Sequence, residues 1–257
     1  GYKVYLGGTV NGVNYRGSQI ITPVDLEISD EISKADLSPV RSKNFETVNE
    51  SVIDNYTTSV ANLVTIPNQL KIVYTALHGV GSETFLRVFE KAKFASPILV
   101  TEQANPDPDF PTTPFPNPEE AGAIDLAINY AKKNNADLVI ANDPDADRCA
   151  VAVNDLRTGW RMLRGDEVGT ILGFYLISKN KSKDVAVANS LVSSSLLAKI
   201  ANRNGIAFYE TLTGFKWISK TNKLIFGYEE ALGYCVDPAV VNDKDGISAA
   251  VIITQLA

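Results

Sequence analysis

Ala136-Asp-Leu-Val-Ile-Ala-Asn-Asp143-Pro-Asp145-Ala-Asp147-Arg148 is the stretch that decides the fold. Its first half is a short apolar run that reads as a buried strand over 136–141. Its second half is an acidic loop joined directly to that strand. Ligands of α/β sheets gather at the carboxyl ends of strands. Asp143, Asp145 and Asp147 stand at alternate positions, so an extended loop turns all three carboxylates the same way. Converging carboxylates repel unless a cation joins them, and an all-oxygen donor set favours Mg²⁺ over zinc. Arg148 beside them is suited to pair with a phosphate oxygen that approaches the same metal. A solvated acidic turn remains open as an alternative. A calcium-binding EF-hand does not, because its sixth and twelfth positions want Gly and Glu, and here they hold Arg148 and Asn154.

Working outward, the same strand–helix rhythm repeats. Upstream, residues 70–74 read as a strand, 83–93 as a helix and 97–100 as a strand. A loop over 105–118, too rich in proline for helix, follows. Pro118-Glu-Glu-Ala is expected to open a helix to about Asn134, with carboxylates at its positive end. Downstream, Cys149–Val153 reads as a strand. A second block then places helices at 168–178, 193–204 and from Lys216, with strands at 184–188, 207–211 and 224–228. A last helix begins near Gly246. The start of the chain reads as β-structure to about residue 28, a short helix over 25–32, an extended link at Ser38-Pro39 and a helix over 48–64. Alternating strands and helices predict an α/β fold of two consecutive domains, with mixed, mostly parallel sheets covered by helices. The similar layout of the two blocks suggests an internal duplication.

Three other loops carry candidate chemistry. His78, in Leu77-His-Gly-Val-Gly81, lies between a strand and a helix where glycines allow close approach of an anion; a tight turn with a hydrogen-bonded histidine is the favoured reading. Thr211-Leu-Thr-Gly-Phe-Lys216 could contact phosphate or sugar hydroxyls, or be an ordinary turn. Gly227-Tyr-Glu-Glu-Ala-Leu-Gly233 offers two carboxylates able to pair with vicinal hydroxyls; the alternative is a helix start with acidic residues at its positive end. Ser193-Ser-Ser195 lacks the glycine elbow of a nucleophile and reads as helix capping.

Composition narrows the function. Among 257 residues there are two cysteines, Cys149 and Cys235, one histidine and a net charge of −6. A lone histidine excludes sites that need two or three, including most zinc hydrolase motifs. The acidic balance argues against broad binding to nucleic acid or anionic membranes. Sparse cysteines suit a reducing cytoplasm. No apolar run is long enough to span a bilayer. The opening Gly1-Tyr-Lys-Val-Tyr-Leu does not read as a signal peptide; it reads as the middle of a strand, as if the chain came from something longer.

Taken together, these loops resemble the α-D-phosphohexomutase superfamily of phosphoglucomutases and phosphomannomutases, along essentially the whole chain and in order. Asp143 to Arg148 resembles its metal loop, Thr211 to Ile218 its domain-three turn, and Gly227 to Gly233 its sugar-recognition loop. Phe110 to Thr113, Pro116 to Glu120 and Lys244 to Ile247 add further matches. The wording is closest to the phosphoglucomutase/phosphopentomutase-like branch. The resemblance implies interconversion of sugar 1- and 6-phosphates through a phosphoserine and a bisphosphorylated sugar. It implies Mg²⁺ on Asp143, Asp145 and Asp147, and Arg148 on the transferring phosphate. It implies Glu229 on sugar hydroxyls, and Thr213, Gly214 and Lys216 lining the cleft. The expected division is a tail of domain one and linker over 1–41, domain two over 42–157 and domain three over 158–257. The family's Thr-Ala-Ser-His-Asn-Pro nucleophile loop and fourth-domain phosphate clamp do not appear in these residues. The chain alone is therefore expected to lack mutase activity and to bind Mg²⁺ weakly. Ala231 stands where many relatives carry serine, which leaves the choice among glucose, mannose and pentose phosphates open. Phosphopentomutase, a non-catalytic metal- or sugar-phosphate-binding module, and a metal phosphatase with an aspartate nucleophile are the alternatives.

Overall fold

A computed structural model describes residues 3–10, 13–14, 17–35 and 43–257. The expected link at Ser38-Pro39 lies outside them. The chain opens on a two-residue ribbon, β1 (Thr9–Val10) with β2 (Val13–Asn14), and a bridge between Tyr5 and Gln19. Helices α1 (Val24–Lys34) and α2 (Ser51–Ala61) follow. The first large sheet contains β3 (Ile72–Thr75), β4 (Ile98–Leu99), β5 (Leu138–Asn142), β6 (Cys149–Asp155) and β7 (Gly159–Met162). Its helices are α3 (Gly81–Lys91) and α4 (Asp125–Asn134). The second large sheet contains β8 (Ala186–Ser190), β9 (Ala207–Thr211), β10 (Leu224–Glu229) and β11 (Gly233–Cys235). Around it lie α5 (Gly165–Lys179), α6 (Leu196–Asn204), α7 (Phe215–Ile218) and α8 (Gly246–Leu256).

The sheet orders are β4-β3-β5-β6-β7 and β9-β8-β10-β11. In the first, β3 runs parallel to β4 and β5, and β6 and β7 turn back antiparallel. The second repeats this through its four strands: β8 is parallel to β9 and β10, and β11 is antiparallel. The α/β class with mixed sheets is as expected, and the repeat agrees with the similar layout of the two blocks.

Strand sequences show why helices cover both faces of the first sheet. Ile72, Tyr74, Leu138, Ile140 and Val151 point into one cluster with Val60 of α2 and Phe85, Val88 and Phe89 of α3. Their neighbours Val73, Val139, Ala141, Ala150 and Ala152 point the other way, against Ala127 and Ala131 of α4. Such strands are apolar at every position instead of alternating. In the second sheet, Val187, Phe226 and Tyr228 meet Leu172 of α5 and Leu197 of α6. Ala188 and Cys235 meet Phe215 and Ile218 of α7 on the opposite face.

Several elements differ from the sequence expectation. Residues 118–124 form turns, and α4 starts only at Asp125. Gly122 takes a left-handed φ of 85°, and the Asn117 side chain accepts the Glu119 backbone N–H at 3.2 Å, so an Asx turn replaces the first helical turns. The helix over 48–64 shortens to Ser51–Ala61. The helix from Lys216 is a four-residue turn of helix starting at Phe215. The helix over 193–204 begins at Leu196, whose N–H donates to Ser194 Oγ at 3.2 Å, whereas Ser195 places no side-chain hydrogen bond on its end. Strands β7 and β11 were not expected. The second of these rules out a helix start at Glu229, which instead ends β10 in a hairpin.

Candidate functional site

The loop between β5 and β6 is held from several sides. Asn142 ends β5; its amide donates to the Arg148 carbonyl at 2.6 Å and its carbonyl accepts from the buried Tyr74 hydroxyl at 2.9 Å. Ala146 takes a left-handed φ of 59°, and its N–H donates to the Asp143 carbonyl at 2.9 Å. The turn after β3 presses on the loop from below. Val80 N–H donates to the Pro144 carbonyl at 2.8 Å, and a Cβ on Gly79 would stand 2.2 Å from Pro144 Cα.

This geometry brings Asp143, Asp145 and Asp147 together, each with a carboxylate oxygen within 4.8 Å of the others. Adjacent oxygens around an octahedral Mg²⁺ stand about 3 Å apart and opposite ones about 4 Å, so closure by at most about 2 Å would seat the ion. Hard carboxylate donors, three in number, fit such a cation. Asp143 is buried and accepts the Arg148 backbone N–H at 2.9 Å and its Nε at 2.7 Å. Burial pushes its carboxyl up, Asp147 adds to that, and Arg148 opposes it. The Arg148 guanidinium also donates to Asn117 Oδ1 at 3.1 Å, which recruits the loop expected as a helix start. Glu119 lies near enough to feel Arg148, although burial keeps its own carboxyl raised.

Two lysines that sequence reasoning assigned no role complete this corner. Lys3, 144 residues from Asp147, pairs with it, and also reaches Asp145 at 3.8 Å. Lys244 Nζ lies 2.9 Å from Asp147. Burial works against the Asp147 charge, but the two ammonium groups outweigh it and hold the carboxyl below its usual range. Lys3, Tyr5, Asp145, Asp147, Asp243 and Lys244 line a cleft of about 660 Å³. No local pattern marks Lys3; only the fold brings it here. Lys244 sits in the stretch 244–247 singled out by resemblance, but its position between two loops needs the tertiary structure.

The second loop occupies the equivalent place in the second sheet, after β10. Glu229 is 8% exposed, and its Oε1 accepts the Gly214 N–H at 2.5 Å. Burial raises its carboxyl, while Gly214 and Lys244 pull it down. Glu230 turns away and accepts from Ser190 Oγ at 2.7 Å and Ser193 Oγ at 3.1 Å. Ser193 therefore serves this loop, not a helix cap. Thr213 is exposed, and Lys216 is half-buried with its ammonium 5.9 Å from the Trp217 ring centre. Gly214 thus joins Glu229 directly, whereas Thr213 and Lys216 flank it. The two loops touch: Arg148 and Gly233 form a bridge, and Cys149 N–H donates to the Leu232 carbonyl at 3.0 Å.

His78 is a turn residue, as favoured. It is buried at a positive φ of 61°, and its Nε2 lies 2.8 Å from Thr112 Oγ1. Thr112 in turn accepts from Gln103 Nε2 at 2.8 Å, so this network anchors the 105–113 loop.

Comparisons with known proteins agree with this layout. The family model described as phosphoglucomutase/phosphomannomutase, alpha/beta/alpha domain II, matches residues 54–159, and that for domain III matches 164–257. A Haemophilus influenzae protein named "Probable phosphomannomutase" is 49% identical over 261 residues, covering 100% of this chain and 53% of its own length. Saccharomyces cerevisiae phosphoribomutase is 42% identical over 99% of this chain and 46% of its own. Human phosphopentomutase is 38% identical over 100% and 46%. The chain thus spans about half the length of these relatives. Among solved structures, a phosphoglucomutase/phosphomannomutase family protein from Burkholderia thailandensis superposes with a TM-score of 0.77 at 19% identity, covering 94% of this chain and 51% of that one. The open form of Paramecium parafusin gives 0.59 at 21%, covering 80% and 36%. At these identities the structures speak for the fold.

Proposed function

Since this chain belongs to the phosphoglucomutase/phosphomannomutase family, we propose that it supplies the metal-binding and sugar-recognising parts of an enzyme that moves phosphate between positions of a sugar. The observation that carries this is the meeting of two loops: three aspartates after β5 and Glu229 after β10, bridged through Arg148 and Gly233. In this reading Asp143, Asp145 and Asp147 hold Mg²⁺. The ion, when bound, neutralises charge on a phosphoryl group in transfer. Arg148, fixed by Asp143 and Asn117, presents its guanidinium to phosphate oxygens. Glu229 accepts sugar hydroxyls in its buried niche, with Gly214, Thr213 and Lys216 beside it. Lys244 lies between the two loops and offers a cation to a phosphate that spans them.

The reaction in this reading interconverts sugar 1- and 6-phosphates through a phosphoserine and a bisphosphorylated sugar, in the cytoplasm. Pentose phosphates are the competing substrates, given relatives named phosphoribomutase and phosphopentomutase. The phosphoserine lies outside these 257 residues. We place the working units at 42–157 and 158–257, with 1–41 as tail and linker. Titration of the 257-residue chain with Mn²⁺ as a probe for Mg²⁺, followed by calorimetry, tests the metal assignment. Weak binding that Asp147→Asn abolishes is expected; no binding at millimolar metal overturns it. Turnover of glucose 1-phosphate by this chain alone would refute the placement of the phosphoserine elsewhere.

A further inference from the structure

The carboxyl-terminal helix α8 follows the second sheet in sequence, yet its first turn lies on the aspartate loop of the first. Gly246 N–H donates to the Ala146 carbonyl at 3.0 Å. A Cβ at Gly246 would stand 2.2 Å from the Arg148 carbonyl oxygen and 2.5 Å from Asn142 Nδ2, so backbone meets backbone here. The residue before it, Asp245, is buried and caps α8, accepting from Ile247 N–H at 3.1 Å and Ser248 N–H at 3.4 Å. Its own N–H donates to the Tyr234 carbonyl of β11 at 2.9 Å. Both carboxylate oxygens then accept the hydroxyl of Tyr56, at 2.8 and 2.9 Å. Tyr56 belongs to α2, which packs on α3 and α8.

We infer that Tyr56 and Asp245 form a clamp that positions the aspartate loop. Among the described residues neither is hydrogen-bonded to Asp143, Asp145 or Asp147, although both line a cavity with Asp145 and Asp147. The clamp acts through Gly246, which pins Ala146 between Asp145 and Asp147. A buried carboxylate needs every lone pair it can satisfy, so losing the Tyr56 hydroxyl lets the cap and Gly246 shift together. The spacing of the aspartates is therefore set from the second half of the chain as well as from β5. This rests on the metal reading above and adds a residue pair to it.

The test compares two contacts made by the same helix. Tyr56→Phe removes the hydroxyl at the near end of α8. Gln255→Ala removes its bonds at the far end, where Gln255 Oε1 accepts Thr65 N–H at 2.6 Å and Ile66 N–H at 2.9 Å. Mn²⁺ affinity of the 257-residue chain is measured by calorimetry, and amide hydrogen exchange is measured at Ala146, Arg148 and Gly246. Tyr56→Phe is expected to weaken Mn²⁺ about tenfold, as loss of outer-shell partners does elsewhere, and to speed exchange at those three amides. Gln255→Ala is expected to lower thermal stability and change neither readout. Equal effects of both substitutions, or unchanged affinity and exchange in Tyr56→Phe, would overturn the clamp. Failure of the unsubstituted chain to bind Mn²⁺ would defeat the metal reading, and hydrogen exchange would still decide whether the clamp holds the loop.

Discussion

Glu229, proposed above to accept sugar hydroxyls, shows what a buried carboxylate costs its own fold. Its carboxyl is raised by burial above the usual value of about 4.3. The ionised form therefore destabilises the folded chain at neutral pH. That cost is relieved as pH falls through the raised value, and is gone below the ordinary one. Glu229→Gln keeps an oxygen for the Gly214 N–H and removes the charge. It should be more stable than the parent at pH 8 in urea titrations, with the gap closing towards about pH 4, while sugar-phosphate binding is lost. A gap that does not change with pH would contradict the assigned cause. Asp145 is the opposite case: it is exposed, with Lys3 at 3.8 Å as its ion-pair partner among the described residues. Asp145→Asn should stay within about 0.5 kcal/mol of the parent in stability and weaken Mn²⁺ binding by about tenfold or more. The grouping of the three aspartates was legible because they fall within five residues in an alternating pattern. Lys3 was not, because its partner lies 144 residues away and no local spacing encodes that.

At the level of elements, each half of the chain uses the same device. The functional loop follows the third strand of its sheet, and the turn after the first strand holds it. After β3 the holder is backbone: Gly79 and Val80 against Pro144. After β8 it is side chain: Ser190 and Ser193 against Glu230. Gly79→Ala forces a Cβ into Pro144 and should cost about 1 to 3 kcal/mol of stability in urea unfolding. It should also weaken Mn²⁺ binding, since Pro144 sits between two of the aspartates. A Gly79→Ala chain with parental metal affinity would show that the turn does not set the loop. The central strands were legible as apolar runs because both faces are buried. Strand β7, Gly159-Trp-Arg-Met, is half-buried at every position and leaves no such run. Strand β11 is three residues long, too short for periodicity. Pro118 and two glutamates do favour a helix start, but Gly122 at positive φ and the Asn117 turn override them.

At the scale of the molecule, the two halves matched by separate family models share one core. A single cluster of buried side chains includes Phe85, Leu138 and Val151 of the first half with Leu172, Phe226 and Ile252 of the second. Helix α8 is the means: it contacts α2, α3, β5 and β6 as well as α5 and β11. Burying apolar area across a boundary couples the stability of the parts on either side, so the halves should not melt apart. The two tryptophans allow a direct measurement. Trp160 lies on β7 and packs against the cluster around α4, whereas Trp217 lies in α7 against the second sheet. Replacing each in turn by Phe leaves one fluorescent reporter in each half. Both variants should give a single urea transition, each coincident with its own circular-dichroism transition, the behaviour of one cooperative unit. If either half unfolded ahead of the other, fluorescence and circular dichroism would part in at least one variant. The aspartate loop, which needs α8 above it and β5 below it, would then lose its geometry while most of the helix content remained.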